Sequence, residues 1–245
     1  MKDNMQLHGI NIKDVSYSYG ELVVMHNISM QVQPGEFIVI VGPSGCGKTT
    51  LLNLLSGHLK PSSGEIKKEG ITRTVYQQDG LFPWLTVSEN IGMGLRDLKS
   101  ESERAEELKK LLELVHLEEF ANHYPHELSG GMKQRVELAR ALAGNADILL
   151  MDEPFSALDY QTRHRLRNEL HRLLTERPRT VIFVTHDIEE AARLADRIFV
   201  LSNRPAGIIR ELKINSLRPR DLADMEVMEA MRTIMNEIGL QTERT

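Results

Sequence analysis

The segment Gly42-Pro43-Ser44-Gly45-Cys46-Gly47-Lys48-Thr49-Thr50 constrains this chain more than any other. It fits the pattern G-x-x-x-x-G-K-[ST]. It lies between a strand pattern over Glu36–Val41 and a helical pattern over Lys48–Leu59. Strand, glycine loop and helix in that order make a phosphate cradle. Glycines let the backbone turn tightly, so that its N–H groups face inward around an anion. The helix adds the positive end of its dipole. Lys48 brings a cation to the β- and γ-phosphates, and the Thr49 hydroxyl is suited to Mg²⁺. The predicted ligand is a nucleoside triphosphate, ATP with Mg²⁺. Cys46 is the only cysteine. With no histidine paired to it, it reads as a small filler and not a nucleophile. Its place at a helix N-terminus predicts sensitivity to alkylation.

The rest of the pattern predicts an α/β fold. Short apolar runs recur at Arg73–Tyr76, Ile148–Met151, Thr180–Val184 and Arg197–Leu201, with helical patterns between them. Strands alternating with helices predict a mainly parallel sheet. Ile10, Ile12 and Val15 alternate with polar residues, and Leu22–Val32 is also strand-like. Together these predict an antiparallel β-layer at the N-terminus. Thr86–Asn145 carries two helical patterns. The first has a capping box at Ser100 and Glu103, followed by Leu108, Leu111, Leu112 and Val115. The second runs from Ser129 to about Ala143. This stretch is predicted to be an inserted α-helical subdomain, about residues 86–145, within one domain spanning 1–245. A short helical tail, about 208–245, follows. In it Asp221 is expected to cap a helix whose Leu222, Met225, Met228, Met231, Met235 and Ile238 form a core-facing stripe.

Charge and composition exclude several classes. Lys plus Arg number 30 against 35 Asp plus Glu, a net charge of −5. That balance argues against a dedicated nucleic-acid binder. The run Arg163–Arg179 reads as a solvated helix face. One cysteine leaves no intrachain disulfide and no zinc cluster, which suits a reducing compartment. Met1–Gly9 lacks the apolar core of a signal peptide. No apolar run approaches the ~20 residues that span a bilayer. Work at a membrane is therefore expected to pass through a partner.

The strand Ile148–Met151 ends in Asp152-Glu153-Pro154. Two neighbouring carboxylates repel unless a cation or proton compensates. Mg²⁺ beside phosphates supplies that compensation. Asp152 is the expected metal anchor. Glu153 is expected to face the γ-phosphate and polarise an attacking water.

Further motifs carry a family resemblance. Leu128-Ser129-Gly130-Gly131-Met132-Lys133-Gln134-Arg135 resembles the signature sequence of ATP-binding-cassette (ABC) ATPases. Tyr19 resembles their adenine-stacking aromatic. Gln77 resembles the glutamine that senses Mg²⁺ and the γ-phosphate. Ser156-Ala157-Leu158-Asp159 resembles their dimer-contacting loop, and His186 their switch histidine. The resemblance runs from about Ile10 to Gly207 and keeps the family's order. It implies a P-loop NTPase fold with the ABC ATPase core. Ser129-Gly130-Gly131 itself opens a helix with a cap residue and two bare glycines, a second anion site at a helix N-terminus. Two head-to-tail copies would pair each such cradle with the other's phosphate loop. This matches the nucleotide-sandwich homodimer that the resemblance implies.

The resemblance leaves two function classes. One is the motor subunit of a membrane transporter, an ATPase coupled to solute transport on the cytoplasmic face of the membrane. The other is a soluble ABC ATPase acting in DNA repair or translation. Repair ATPases insert a long coiled coil before the signature, and Thr50–Leu128 shows no long heptad run. Translation-type members carry two cassettes, and this chain has one. A cassette without a fused membrane segment resembles bacterial importers. Leu81-Phe82-Pro83-Trp84-Leu85-Thr86-Val87 resembles the branch serving nitrate, sulfonate, taurine and related solutes. The implied partners are integral membrane permease subunits and, indirectly, a solute-binding protein. Trp84, the sole tryptophan, has two readings. It lines a permease-docking groove with Phe82 and Leu85, or it packs the helical subdomain. The solute itself is not legible.

Overall fold

The computed structural model describes residues 8–76 and 80–239. In chain order its strands are β1 (Ile10–Tyr19), β2 (Leu22–Val32), β3 (Phe37–Val41), β4 (Ser63–Lys68), β5 (Thr72–Val75), β6 (Ile148–Asp152), β7 (Thr180–Val184), β8 (Arg197–Leu201) and β9 (Ile208–Lys213). The helices are α1 (Lys48–Ser56), α2 (Val87–Gly92), α3 (Glu101–Val115), α4 (Gly130–Leu142), α5 (Tyr160–Glu176), α6 (Ile188–Leu194) and α7 (Met225–Glu237). They fall into two compact units. One is Met1–Gly70 with Pro178–Thr245, and the other is Ile71–Arg177.

The first unit holds the phosphate loop. Its antiparallel layer runs β2-β1-β4, with Ile10, Ile12 and Val15 buried. Ile10 and Ile12 share a face because side chains in a strand alternate, and a register shift between Ile12 and Val15, with Asp14 at φ 51°, lets Val15 be buried as well. In the second sheet β3 pairs in parallel with β7 on one side and β8 on the other, and β9 adds antiparallel to β8. Every residue of β3 and β7 is buried. Their unbroken apolar runs are what a parallel strand covered on both faces requires. Helix α1 follows the loop and buries Leu51, Leu52, Leu54 and Leu55. It ends at Gly57, whose φ of 86° gives the left-handed cap that glycine favours.

The C-terminal helix departs from expectation. It begins after Asp224, not Asp221. The Asp221 carboxylate instead accepts from the N–H of Ala223 two residues on, which closes a local turn. Its buried face is Val227, Ala230 and Ile234. The expected methionine stripe is therefore displaced: Met225 is 81% exposed and Met228 is exposed too. The segment before α7 is held by Arg220, which is buried. It donates to the carbonyls of Ser216, Arg193, Ala195 and Ile214.

In the second unit β5 and β6 pair in parallel, from Thr72 opposite Ile148 to Val75 opposite Met151. Residues 86–145 hold three helices where two were expected. The extra one, α2, is six residues long, too short to print a helical period. The reciprocal capping box sits here, between Thr86 and Glu89. At Ser100 only the half from Ser100 to the Glu103 N–H forms. The basic run is not uniformly solvated, since Arg167 and Arg179 are buried.

Candidate nucleotide site

The phosphate loop has the geometry its glycines allow. Gly45 has φ 73° and Gly47 φ 118°, values that L side chains resist. A Cβ on Gly47 would lie 2.7 Å from Val24 Cγ1, and one on Gly42 would lie 3.0 Å from the Leu201 carbonyl oxygen. Gly47 is the N-cap of α1, and no side chain caps that end. The opening N–H groups of α1 are thus left for an anion. Lys48 is buried, and its Nζ donates to the carbonyls of Gly42 and Pro43 at 2.8 and 3.0 Å. Ser44, Gly45 and Thr49 are exposed, and Pro43 and Thr50 half-buried. Cys46 is buried. Burial pushes its thiol above the usual range, outweighing the opposing pull of Lys48 and Arg204. The expected alkylation sensitivity is therefore corrected, because a buried thiol of raised pKa exposes little thiolate.

Two further predicted residues belong to the same unit. Tyr19 ends β1 with half its surface exposed, and Tyr17 meets it edge-on at 4.9 Å. His186 is exposed and follows β7 after Thr185. Its neighbours fix the turn. The Thr185 hydroxyl donates to Glu190 at 2.7 Å and accepts from the Asp187 N–H, and Asp187 caps α6 through the N–H groups of Glu189 and Glu190.

The second unit carries the acids and the signature. Asp152 is buried at the end of β6. Glu153, next in line, is held at φ 48°, a conformation rare for a side-chain-bearing residue. What holds it is a web on its carbonyl, which accepts from Gln134 Nε2, Ser156 Oγ and the Ser156 N–H. Gln134 also accepts from the Ala157 N–H at 2.9 Å. One buried amide thus ties the signature helix α4 to the segment from Glu153 to Ala157. Gln134 was not among the predicted site residues. Its only sequence signal is its place within the signature run, one turn beyond Gly130. Ser129 caps α4 through the Met132 N–H. A Cβ on Gly131 would meet the Ala157 carbonyl at 3.1 Å, whereas one on Gly130 would meet nothing within 4 Å. Asp159 caps α5, and the Thr162 N–H holds its carboxyl below the usual range.

Trp84 is 69% exposed, so its ring does not pack the helical subdomain. Phe82 lies 5.5 Å from it, with the Arg140 guanidinium 5.7 Å from the Phe82 ring centre. Buried Asn90 fixes this segment, accepting from the Phe82 N–H and donating to the carbonyls of Phe82, Leu85 and Thr86. Gln77 lies outside the described residues.

The donor set fits the expected ligands. Uncapped amides at Gly47 and the Lys48 ammonium suit phosphate. Thr49 in the first unit and Asp152 in the second each carry a hard oxygen donor of the kind Mg²⁺ takes. Among the described residues no group of three or more His, Cys, Asp or Glu is placed to hold a metal.

Comparison with known proteins agrees with this chemistry. The family model described as ABC transporter matches residues 25–156. An uncharacterized ABC transporter ATP-binding protein of Methanocaldococcus jannaschii is 43% identical over 96% of this chain and 91% of its own. An aliphatic sulfonates import ATP-binding protein of Rhodococcus jostii is 42% identical, over 90% of this chain and 89% of its own. A nitrate import ATP-binding protein of Synechocystis is 45% identical, over 80% of this chain and 77% of its own. Among solved structures, a dimeric bacterial ABC transporter cassette covers 85% of the chain with TM-score 0.76 and 36% identity. A post-hydrolysis dimer of such a cassette with ADP and Pi gives 0.75 and 35%.

Proposed function

The chain belongs to the ABC transporter family, and on that premise we propose that it is the ATP-hydrolysing motor subunit of an importer for nitrate, a sulfonate, taurine or a related small solute. One observation carries this reading: relatives 42% and 45% identical over most of the chain are named for aliphatic sulfonate and nitrate import. The soluble repair or translation reading is not favoured by those names. Among the described residues no helix is long and apolar enough to cross a membrane. The proposed assembly is a homodimer held peripherally at the cytoplasmic face by permease subunits, with a solute-binding protein beyond them; the dimeric cassette at 36% identity supports the pairing.

In the proposed cycle Tyr19 stacks on adenine, and Lys48 with the amides of Gly42–Thr50 binds the phosphates. Mg²⁺ neutralises phosphate charge when bound, and Thr49, Asp152 and Gln77 are its proposed protein neighbours. Glu153 orients water and takes up its proton, and His186 holds the γ-phosphate. Ser129, Gly130 and Gly131 arrive from a second copy. Open space beside Gly130 supports that last assignment, since a phosphate must approach the backbone there.

Trp84→Ala tests the docking step. The ring is mostly in solvent, so folding and basal ATPase activity are expected to stay near wild type. Co-purification with its proposed permease is expected to fall. Normal recovery of that permease would refute docking through Trp84.

A further inference from the structure

A second cation borders the phosphate loop, on the segment joining β8 to β9. Leu201, the last residue of β8, abuts Gly42: a Cβ on that glycine would lie 3.1 Å from Leu201 Cβ. The chain then turns through residues 202–207. Ser202 anchors a tight local web: its N–H donates to the Gly207 carbonyl, and its hydroxyl accepts from the Gly207 N–H and donates to the Asn203 carbonyl. Ala206 is buried and bridges to β2. Its N–H donates to the Val24 carbonyl at 2.8 Å, and its carbonyl accepts from the His26 N–H at 3.0 Å. Val24 is the same residue whose methyl crowds Gly47. Both ends of the turn are thus fixed to residues that also fix the phosphate loop. The turn carries Arg204, which is exposed, and whose Nη2 lies 3.8 Å from the Cβ position of Gly45.

We propose that Arg204 is a positioning residue of the nucleotide site, adding a fixed positive potential at the open side of the loop that selects for nucleotides by phosphate charge. The inference rests on the nucleotide-binding reading of that loop. Lys48, the cation within the loop, is buried and directed at the Gly42 and Pro43 carbonyls. Arg204 stands outside, on the face where Ser44 and Gly45 are exposed. The charge on Arg204 reaches into the loop, where it acts on the Cys46 thiol together with Lys48. A nearby surface charge changes phosphate affinity by about two- to fivefold per unit charge before salt screening. Without added Mg²⁺, where net charge rises from AMP to ADP to ATP, the effect grows in that order, and it fades as ionic strength rises.

The test measures displacement of a fluorescent ATP analogue by ATP, ADP and AMP on the full chain, at about 20 mM and about 500 mM salt. Arg204→Gln is expected to weaken ATP by about three- to tenfold at low salt, ADP less and AMP least. Arg204→Lys is expected to keep the wild-type ranking, and high salt to erase the difference. Equal losses for all three nucleotides, or no loss for ATP, would overturn the proposal. Lys48→Ala separates the two levels. If it weakens ATP while Arg204→Gln does not, only this inference fails. If neither variant alters ATP affinity, the nucleotide-binding reading fails with it.

Discussion

Gly47→Ala is the sharpest test of how the loop is built. Two costs are separable in the structure. The backbone stands at φ 118°, and holding a side-chain-bearing residue there costs about 1–3 kcal/mol. The new Cβ would also sit 2.7 Å from Val24 Cγ1, a buried methyl with little room to move. Overpacking of that kind adds about 1–3 kcal/mol. The sum is roughly 2–6 kcal/mol. For a chain of this size it lowers Tm by roughly 4–24 °C. Thermal melts of Gly47→Ala, Val24→Ala and the double variant close a cycle. Val24→Ala removes the methyl but leaves the dihedral, so the double variant is expected to be less destabilised than the sum of singles by about 1 kcal/mol. A Gly47→Ala protein that melts with wild type would refute the reasoning. So would complete rescue by Val24→Ala, since that would leave no dihedral cost.

Two other perturbations probe the same unit. Arg220→Met strips the donor from four carbonyls at a buried site and is expected to cost about 3 kcal/mol, read as a fall in Tm. Arg220→Lys is expected to rescue only part of it, because a compact ammonium does not span the guanidinium's fork; full rescue would show that charge alone matters. Cys46 is expected to react with iodoacetamide more slowly than free cysteine at neutral pH. Its folded pKa is raised, so the rate climbs only as pH passes above the ordinary thiol value of about 8.5. Fast labelling at neutral pH would contradict the burial described.

The sequence carried the loop and the strands because their signals are local. Gly42, Gly45, Gly47 and Lys48 lie within seven residues of one another, and β3, β6 and β7 are continuous apolar runs that nothing but a covered sheet explains. Less was legible where a tertiary partner decides. The Met225–Met235 spacing fits a helix, but neighbouring Val227, Ala230 and Ile234 fit it as well, and packing chose the second face. Asp221 and Asp224 are equal caps on paper; the Asp221 carboxylate is taken up by the Ala223 N–H, and the helix opens with the Met228 N–H on the Asp224 carbonyl. The role of Gln134 and the approach of Arg204 to Gly45 join residues 19 or more positions apart, which no periodicity encodes.

The central claim is that a second copy of this chain completes the nucleotide site. The most direct measurement is the mass of Glu153→Gln by light scattering after gel filtration, with ATP and with ADP. A dimer is expected with ATP, persisting because turnover is blocked, and a monomer with ADP. A monomer under both conditions, with ATP hydrolysis continuing, would contradict it.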